Sequence, residues 1–214
     1  MLFVVKKEHR EALNYLYQRL KDDEKTIKDI LGKKVSFRHS ADGRFNHTMA
    51  VLHHGREILT KVVCNKDVVE MAIILHDIAK LSDDVNHEKT GAIIAKEYLD
   101  NRCYGQAYTR QVLECILLHN QKGQTPTASI EAKVVQDADL LDKRLFYEMY
   151  HIPAGRFWEE GRKTEYTKLL KTYRGSLKKY ADRANFPFVR LQILGALNSI
   201  ESEFCEEEIN HPLM

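Results

Sequence analysis

Proline is scarce in this chain, with 4 residues among 214, and strict alternation of apolar and polar residues is almost absent. Proline breaks helices, and alternation is the mark of half-buried strands. Apolar residues instead recur at a spacing near 3.6 from end to end, which is typical of amphipathic helices. With 43% hydrophobic residues, the chain has enough apolar side chains to form a full core. The sequence therefore predicts an all-α protein, folded as a helical bundle.

The four cysteines are widely spaced and form no CxxC pair. This spacing argues against a zinc ribbon or a disulfide framework, so we expect reduced thiols in a cytoplasmic protein. No apolar run approaches the roughly 20 residues of a membrane span. The first seven residues are too short for a signal peptide and carry their charge on the wrong side, so we expect neither membrane attachment nor secretion.

Neither positive nor negative charge is in large excess, because the chain has 33 basic and 31 acidic residues. A net charge of +2 is too weak to argue for a nucleic-acid partner. The length suits one globular domain, which we expect to span residues 1–214. Its last two helices, within about 157–206, are expected to pack across the bundle or to form an oligomer surface such as that of a homodimer.

The apolar segment 71–80 ends in two potential metal ligands, His76 and Asp77, followed by Lys80. Burying an ionised carboxylate is costly unless its charge is compensated. A divalent metal would compensate the charge and would bind the imidazole as well. The alternative is a core pair satisfied by local hydrogen bonds, and this segment alone does not decide between them.

Further histidines and aspartates lie at or near the ends of predicted helices. Five of these helices cover about 8–31, 67–79, 106–119, 158–180 and 187–204. Three more are predicted to begin at 47, after a turn at 40–43, at 87 and at 130. The candidate ligands are His47, His76, Asp77, His87, His119 and either Asp137 or Asp139. Helical bundles build metal sites from ligands on several helices. Imidazole and carboxylate without thiolate suit Mn, Fe, Co, Ni, Zn or Mg, with open positions at which water is activated.

Three segments resemble the motifs of the HD-domain family of metal-dependent phosphohydrolases, in particular its small single-domain branch. They read Arg-Phe-Asn-His-Thr at 44–48, His-Asp-Ile-Ala-Lys at 76–80 and Gln-Asp-Ala-Asp-Leu-Leu-Asp at 136–142. The resemblance covers about 44–145 and implies an HD-type helical bundle. It implies that His47, His76, Asp77 and Asp139 hold the metal, since the family's distal aspartate lies in an Ala-Asp-x-Leu context. Asp137 is the second choice.

Three of these residues have expected roles in chemistry. Asp77 is expected to orient or deprotonate the attacking water as well as to bind metal. Lys80 is expected to contact a phosphate or to protonate a leaving oxygen, and the alternative is a solvated lysine near a helix C-terminus. Arg44 is expected to contact phosphate through its planar guanidinium group.

The resemblance also implies a role for two further histidines, His87 and His119. His87 and His119 occupy positions where some HD proteins place a second metal or phosphate contacts. We therefore expect them to contribute to substrate binding. The neighbouring loop acids Asp83 and Asp84 are interpreted as solvating the loop, which we expect to border the pocket.

The function expected from these features is a metal-dependent phosphohydrolase that acts on a small phosphorylated metabolite, with nucleotides preferred. One alternative is a non-catalytic regulatory domain that binds a phosphorylated ligand. Another is a di-iron HD-type oxygenase, which His87 and His119 keep open. In this interpretation one ion per chain favours the hydrolase, and two irons with an oxygen-sensitive redox signal favour the oxygenase.

Overall fold

The computed structural model describes residues 6–32, 39–121, 126–143 and 160–210, and every regular element within these ranges is a helix. The helices are α1 (Lys7–Leu31), α2 (Ala41–Ile58), α3 (Lys66–Leu75), α4 (His87–Asp100), α5 (Gln106–Leu118), α6 (130–143), α7 (Lys163–Arg183) and α8 (Pro187–Asn210). The predicted all-α fold is therefore confirmed. Within the described ranges, no helix has both the length and the apolar composition needed to cross a membrane.

Two compact units can be distinguished along the chain. Helices α1 to α5, with α6 as far as Asp139, belong to the first unit, and α7 and α8 belong to the second. Within the first unit α3 packs against α1, α2 and α5, while α4 packs against α5. Within the second unit α7 and α8 pack against each other. The expectation of a single domain over residues 1–214 stays a prediction.

Helix α3 is the centre of the first unit. Its residues Val68, Val69 and 71–75 are fully buried, which agrees with a helix that is apolar on almost all faces. The helix ends at Leu75, earlier than the predicted end at Ala79, and turns follow over residues 76–82. His76 and Asp77 therefore lie just beyond the C-terminus of the most buried helix.

The start of α2 differs from the prediction. The segment 40–43 was predicted as a turn before a helix that begins at His47, but α2 begins at Ala41. Ser40 has an extended backbone and its side chain accepts a hydrogen bond from the Gly43 amide at 3.0 Å, so it caps the helix. His47 consequently lies in the second turn of α2 and not at its first residue.

The first helix of the second unit, α7, begins later than predicted. Helix α7 starts at Lys163, and the described residues 160–162 before it are not helical. Gly161 has a φ of 71°, a left-handed conformation that interrupts a right-handed helix. The predicted start at Trp158 lies outside the described residues. Helix α8 begins at Pro187, a residue that fits the first helical position, and continues past the predicted end at 204.

Glu70 joins three helices of the first unit. Its carboxylate accepts two hydrogen bonds of 2.9 Å from Arg56 of α2, and Nδ1 of His9 from α1 lies 3.0 Å away. Burial alone would raise the pKa of Glu70, but the contacts with His9 and Arg56 outweigh it and lower the pKa to about 2. The ionised carboxylate therefore stabilises the contact between α1, α2 and α3.

Glu70→Gln is expected to lower the free energy of unfolding at pH 7 by about 2 kcal/mol, because the folded pKa lies below the unfolded one. This contribution is complete above pH 4.5 and is lost as the pH falls toward 2. Urea unfolding at several pH values would show the two proteins converging at low pH. Glu97→Gln on the exposed face of α4 is the control, and an equal pH dependence in both variants would contradict this role of Glu70.

Candidate metal centre

Five buried side chains form two groups that share one aspartate. The first group comprises His47, His76 and Asp77, and the second comprises Asp77, His87 and His119. In each group the potential ligand atoms lie within 4.8 Å of one another, and all five residues are at most 7% exposed. The structure thus brings together the segments that follow α3 and α5, the start of α4 and the second turn of α2.

The carboxylate of Asp77 presents one oxygen to each group. Its Oδ2 lies 3.5 Å from Nε2 of His47 and 3.7 Å from Nε2 of His76. Its Oδ1 lies 3.5 Å from Nε2 of His87 and 3.6 Å from Nε2 of His119. Asp77 is therefore placed to bridge two cations, each of which would also contact a pair of imidazoles.

Three of the imidazoles are oriented by the backbone. In His76, His87 and His119, Nδ1 contacts the carbonyl oxygen three residues earlier in the chain. These oxygens belong to Ile73 at 2.7 Å, Asp84 at 3.0 Å and Ile116 at 2.6 Å. His76 and His119 follow the last residues of α3 and α5, where carbonyl groups lack helical partners. An Nδ1–H that donates to a carbonyl leaves a lone pair on Nε2, the atom that faces Asp77.

The spacing of the nitrogen atoms fits a metal. Nε2 of His47 lies 3.2 Å from Nε2 of His76, and Nε2 of His87 lies 3.3 Å from Nε2 of His119. Ligand atoms bound at about 2.1 Å to one tetrahedral or octahedral ion are separated by about 3.0–3.4 Å. The two buried pairs therefore have the donor type and the spacing that a divalent cation requires.

The protonation states agree with metal binding. Burial lowers the pKa of His76 to about 4, so its imidazole is neutral at pH 7 and able to act as a ligand. Burial alone would raise the pKa of Asp77, but the imidazoles of His76, His119 and His47 hold it well below its usual range. The Asp77 carboxylate raises the pKa of His119 despite burial.

Asp139 and Arg44 both approach the first group. Oδ1 of Asp139 lies 3.6 Å from Nε2 of His47. Asp137, the second choice for the distal ligand, is fully buried on the same helix. Arg44 is also buried, and its Nη1 lies 3.1 Å from Oδ2 of Asp77. Its guanidinium group therefore contacts a candidate ligand directly, and its role in phosphate binding stays a prediction.

Lys80 lies beside His87. Its Nζ is 2.8 Å from Oδ1 of Asp84 and 3.3 Å from Nδ1 of His87, the ring nitrogen that does not face Asp77. The structure thus places the lysine next to the second group but on the outer side of a histidine ring. A catalytic role for Lys80 stays a prediction.

Two polar residues at the site were not singled out from the sequence as functional. Nε2 of Gln136 donates to the carbonyl of Leu118 at 2.7 Å, which connects α6 to the residue that precedes His119. Asp83 was interpreted as loop solvation, yet its carboxylate accepts hydrogen bonds from the amide of the N-cap residue Asn86 and from the hydroxyl of Thr90 in α4. The spacing from Asp83 to Asn86, three residues, is typical of helix capping and is the signal that could have identified it.

These features define the class of protein: a helical bundle whose buried centre is lined by histidines and a shared aspartate. Residues 44–144 match the family model described as HD domain, and this segment contains every residue of the two groups. This segment of the chain therefore matches an HD domain. Its His and Asp groups could hold a metal, in agreement with the metal binding of HD domains.

Two solved structures are similar to this chain. One is a predicted HD superfamily hydrolase from an uncultured Thermotogales bacterium, with 24% identity and a TM-score of 0.49, covering 78% of this chain and 91% of the other. The second is an HD-superfamily hydrolase from Bacillus thuringiensis, with 20% identity and a TM-score of 0.52, covering 94% of this chain and 96% of the other. At this identity the second similarity supports the fold. No curated protein sequence matches the chain.

Proposed function

We propose that the protein is a metal-dependent phosphohydrolase that acts on a small phosphorylated metabolite, with nucleotides as the first class to test. The observation that carries this proposal is the position of Asp77 between two pairs of buried imidazoles. The match of residues 44–144 to an HD domain supports it. The nearly balanced charge of the chain favours a small substrate over a nucleic acid.

The ligand sets follow from the two groups. His47, His76 and Asp77 would hold one ion, with Asp139 completing its set, and Asp77, His87 and His119 would hold the second. A bound divalent ion supplies positive charge for a phosphoryl oxygen and makes a water molecule more acidic. Asp77 would orient that water, and Arg44 would hold the Asp77 carboxylate in place through the 3.1 Å contact. Lys80 would meet the leaving oxygen after release from Asp84.

A second candidate is a di-iron oxygenase, because four imidazoles around one shared carboxylate also suit two irons. Because the ligands form two groups, a different experiment is needed to distinguish a hydrolase from an oxygenase. Two ions per chain would be expected for either function, so the number of ions alone does not distinguish them. The reaction does: the hydrolase releases phosphate without consuming oxygen, whereas the oxygenase consumes oxygen.

The test is phosphate or pyrophosphate release from a panel of nucleotides by protein loaded with Mn, Co or Fe. We expect hydrolysis of at least one substrate, and we expect His76→Ala to abolish it because a buried ligand of the first group is lost. His53→Ala is the matched control, since His53 lies on the exposed side of α2 and contacts Glu57. Full activity in His76→Ala would contradict the proposal, and oxygen consumption coupled to substrate oxidation would favour the oxygenase.

A further inference from the structure

We propose that Asp83 is a positioning residue for the second half of the metal centre, acting through the first turn of α4 on His87. This inference rests on the proposed binding of two ions. Asp83 lies in the segment between His76–Asp77 and His87, and it is not itself a member of either ligand group. Its contacts connect the two ends of that segment.

Both oxygens of the Asp83 carboxylate accept hydrogen bonds from α4 or its cap. Oδ1 accepts from the backbone amide of Asn86 at 3.0 Å, and Oδ2 accepts from the hydroxyl of Thr90 at 2.7 Å. The backbone amide of Asp83 donates to the carbonyl of Ala79 at 2.8 Å. The hydroxyl of Thr90 and the Asn86 amide both keep the pKa of Asp83 below its usual value, as expected for an accepting carboxylate.

This contact supplies the cap that α4 otherwise lacks. The N-cap residue Asn86 makes no capping hydrogen bond with its own side chain. Amides at a helix N-terminus have no helical partner, and a carboxylate there is also favoured by the helix dipole. Asp83 thus fixes the first turn of α4, and His87 is the first residue of that turn.

The same segment orients the His87 ring. Asp84, the residue after Asp83, provides the carbonyl that Nδ1 of His87 contacts at 3.0 Å. The opposite ring nitrogen, Nε2, lies 3.5 Å from Asp77 and 3.3 Å from Nε2 of His119. Asp83 therefore holds both the backbone that carries His87 and the backbone that aligns its imidazole.

The effect of Asp83 is expected to be selective for the second ion. The histidines of the first group come from α2 and from the segment that follows α3, and the hydrogen bonds of the Asp83 side chain involve only Asn86 and Thr90. Residues that orient metal ligands typically alter metal affinity by about 10- to 100-fold. Loss of the Asp83 carboxylate should therefore weaken the binding of the second ion and leave the binding of the first unchanged.

The experiment is a titration of metal-free protein with Co²⁺, followed by absorbance and by calorimetry. We expect two binding events in the wild type, and in Asp83→Ala an unchanged first event with a second at least about 10-fold weaker. Asp83→Asn should restore the second event, since an amide can accept from Asn86 and donate to the Thr90 hydroxyl. Asp100→Ala, which removes the same charge at the far end of α4, should titrate like the wild type.

The outcomes separate this inference from the function on which it rests. Two unchanged binding events in Asp83→Ala would overturn the role of Asp83 and leave the proposed function standing. An equal loss of both events would show a general structural role of Asp83 and would also overturn the inference. Fewer than two ions in the wild type would contradict the two-ion function and, with it, this inference.

Discussion

Asp77→Asn is expected to remove both bound ions and to lower phosphate release by at least about 1000-fold, which corresponds to the several kcal/mol that metal ions contribute to such reactions. The expectation follows from the two oxygens of Asp77, one of which faces each pair of imidazoles. An asparagine of nearly the same size carries no charge and offers only one oxygen. Its amide group would point N–H donors at one of the two pairs, where a ligand is needed.

Metal analysis of the purified variant checks this prediction, with activity as the second measurement. His119→Ala is the informative comparison, because His119 belongs to the second group alone. We expect His119→Ala to retain one ion and Asp77→Asn to retain none. If Asp77→Asn kept two ions with wild-type affinity, Asp77 could not be the shared ligand.

Ile74→Ala is expected to destabilise the first unit by about 3 kcal/mol, within the range of about 2–5 kcal/mol for such truncations in a core. Ile74 is fully buried in α3, the helix that packs against α1, α2 and α5. The neighbouring helices cannot all close on the vacated space, so a cavity remains. Since proteins have about 5–15 kcal/mol of stability in total, the change should be large.

Urea unfolding of the metal-free protein measures this cost. Ile93→Ala is the control, because Ile93 on α4 is 71% exposed and its truncation should change stability by about 0.5 kcal/mol or less. Equal costs in the two variants would contradict the central position of α3. That position matters for function, because α3 carries His76 and Asp77 at its C-terminus.

Much of the fold was predictable because its signals are local. The spacing of apolar residues over 67–79 predicted the helix that the structure shows as α3, and the same spacing along the chain predicted the all-α class. The start of α2 was placed at His47 because residues 40–43 look like a turn. Ser40 instead caps the helix, and a turn and a capped first helical turn use the same residue types.

The candidate site was only partly predictable. Sequence motifs indicated which histidines and aspartates to consider, since each lies in a recognisable local context. They could not show that the two oxygens of Asp77 face different pairs, because this depends on how α2, α4 and α5 pack around α3. The backbone carbonyls of Ile73 and Ile116 were also missed, since every residue has a carbonyl and only the three-dimensional structure shows which ones are used.

The central claim is that Asp77 is shared by two metal sites. The most direct test is the number of divalent ions bound per chain in wild-type protein purified without added metal and then saturated with one metal. The predicted result is two ions in the wild type, one in His119→Ala and none in Asp77→Asn. A single ion in the wild type, unaffected by His119→Ala, would contradict the claim.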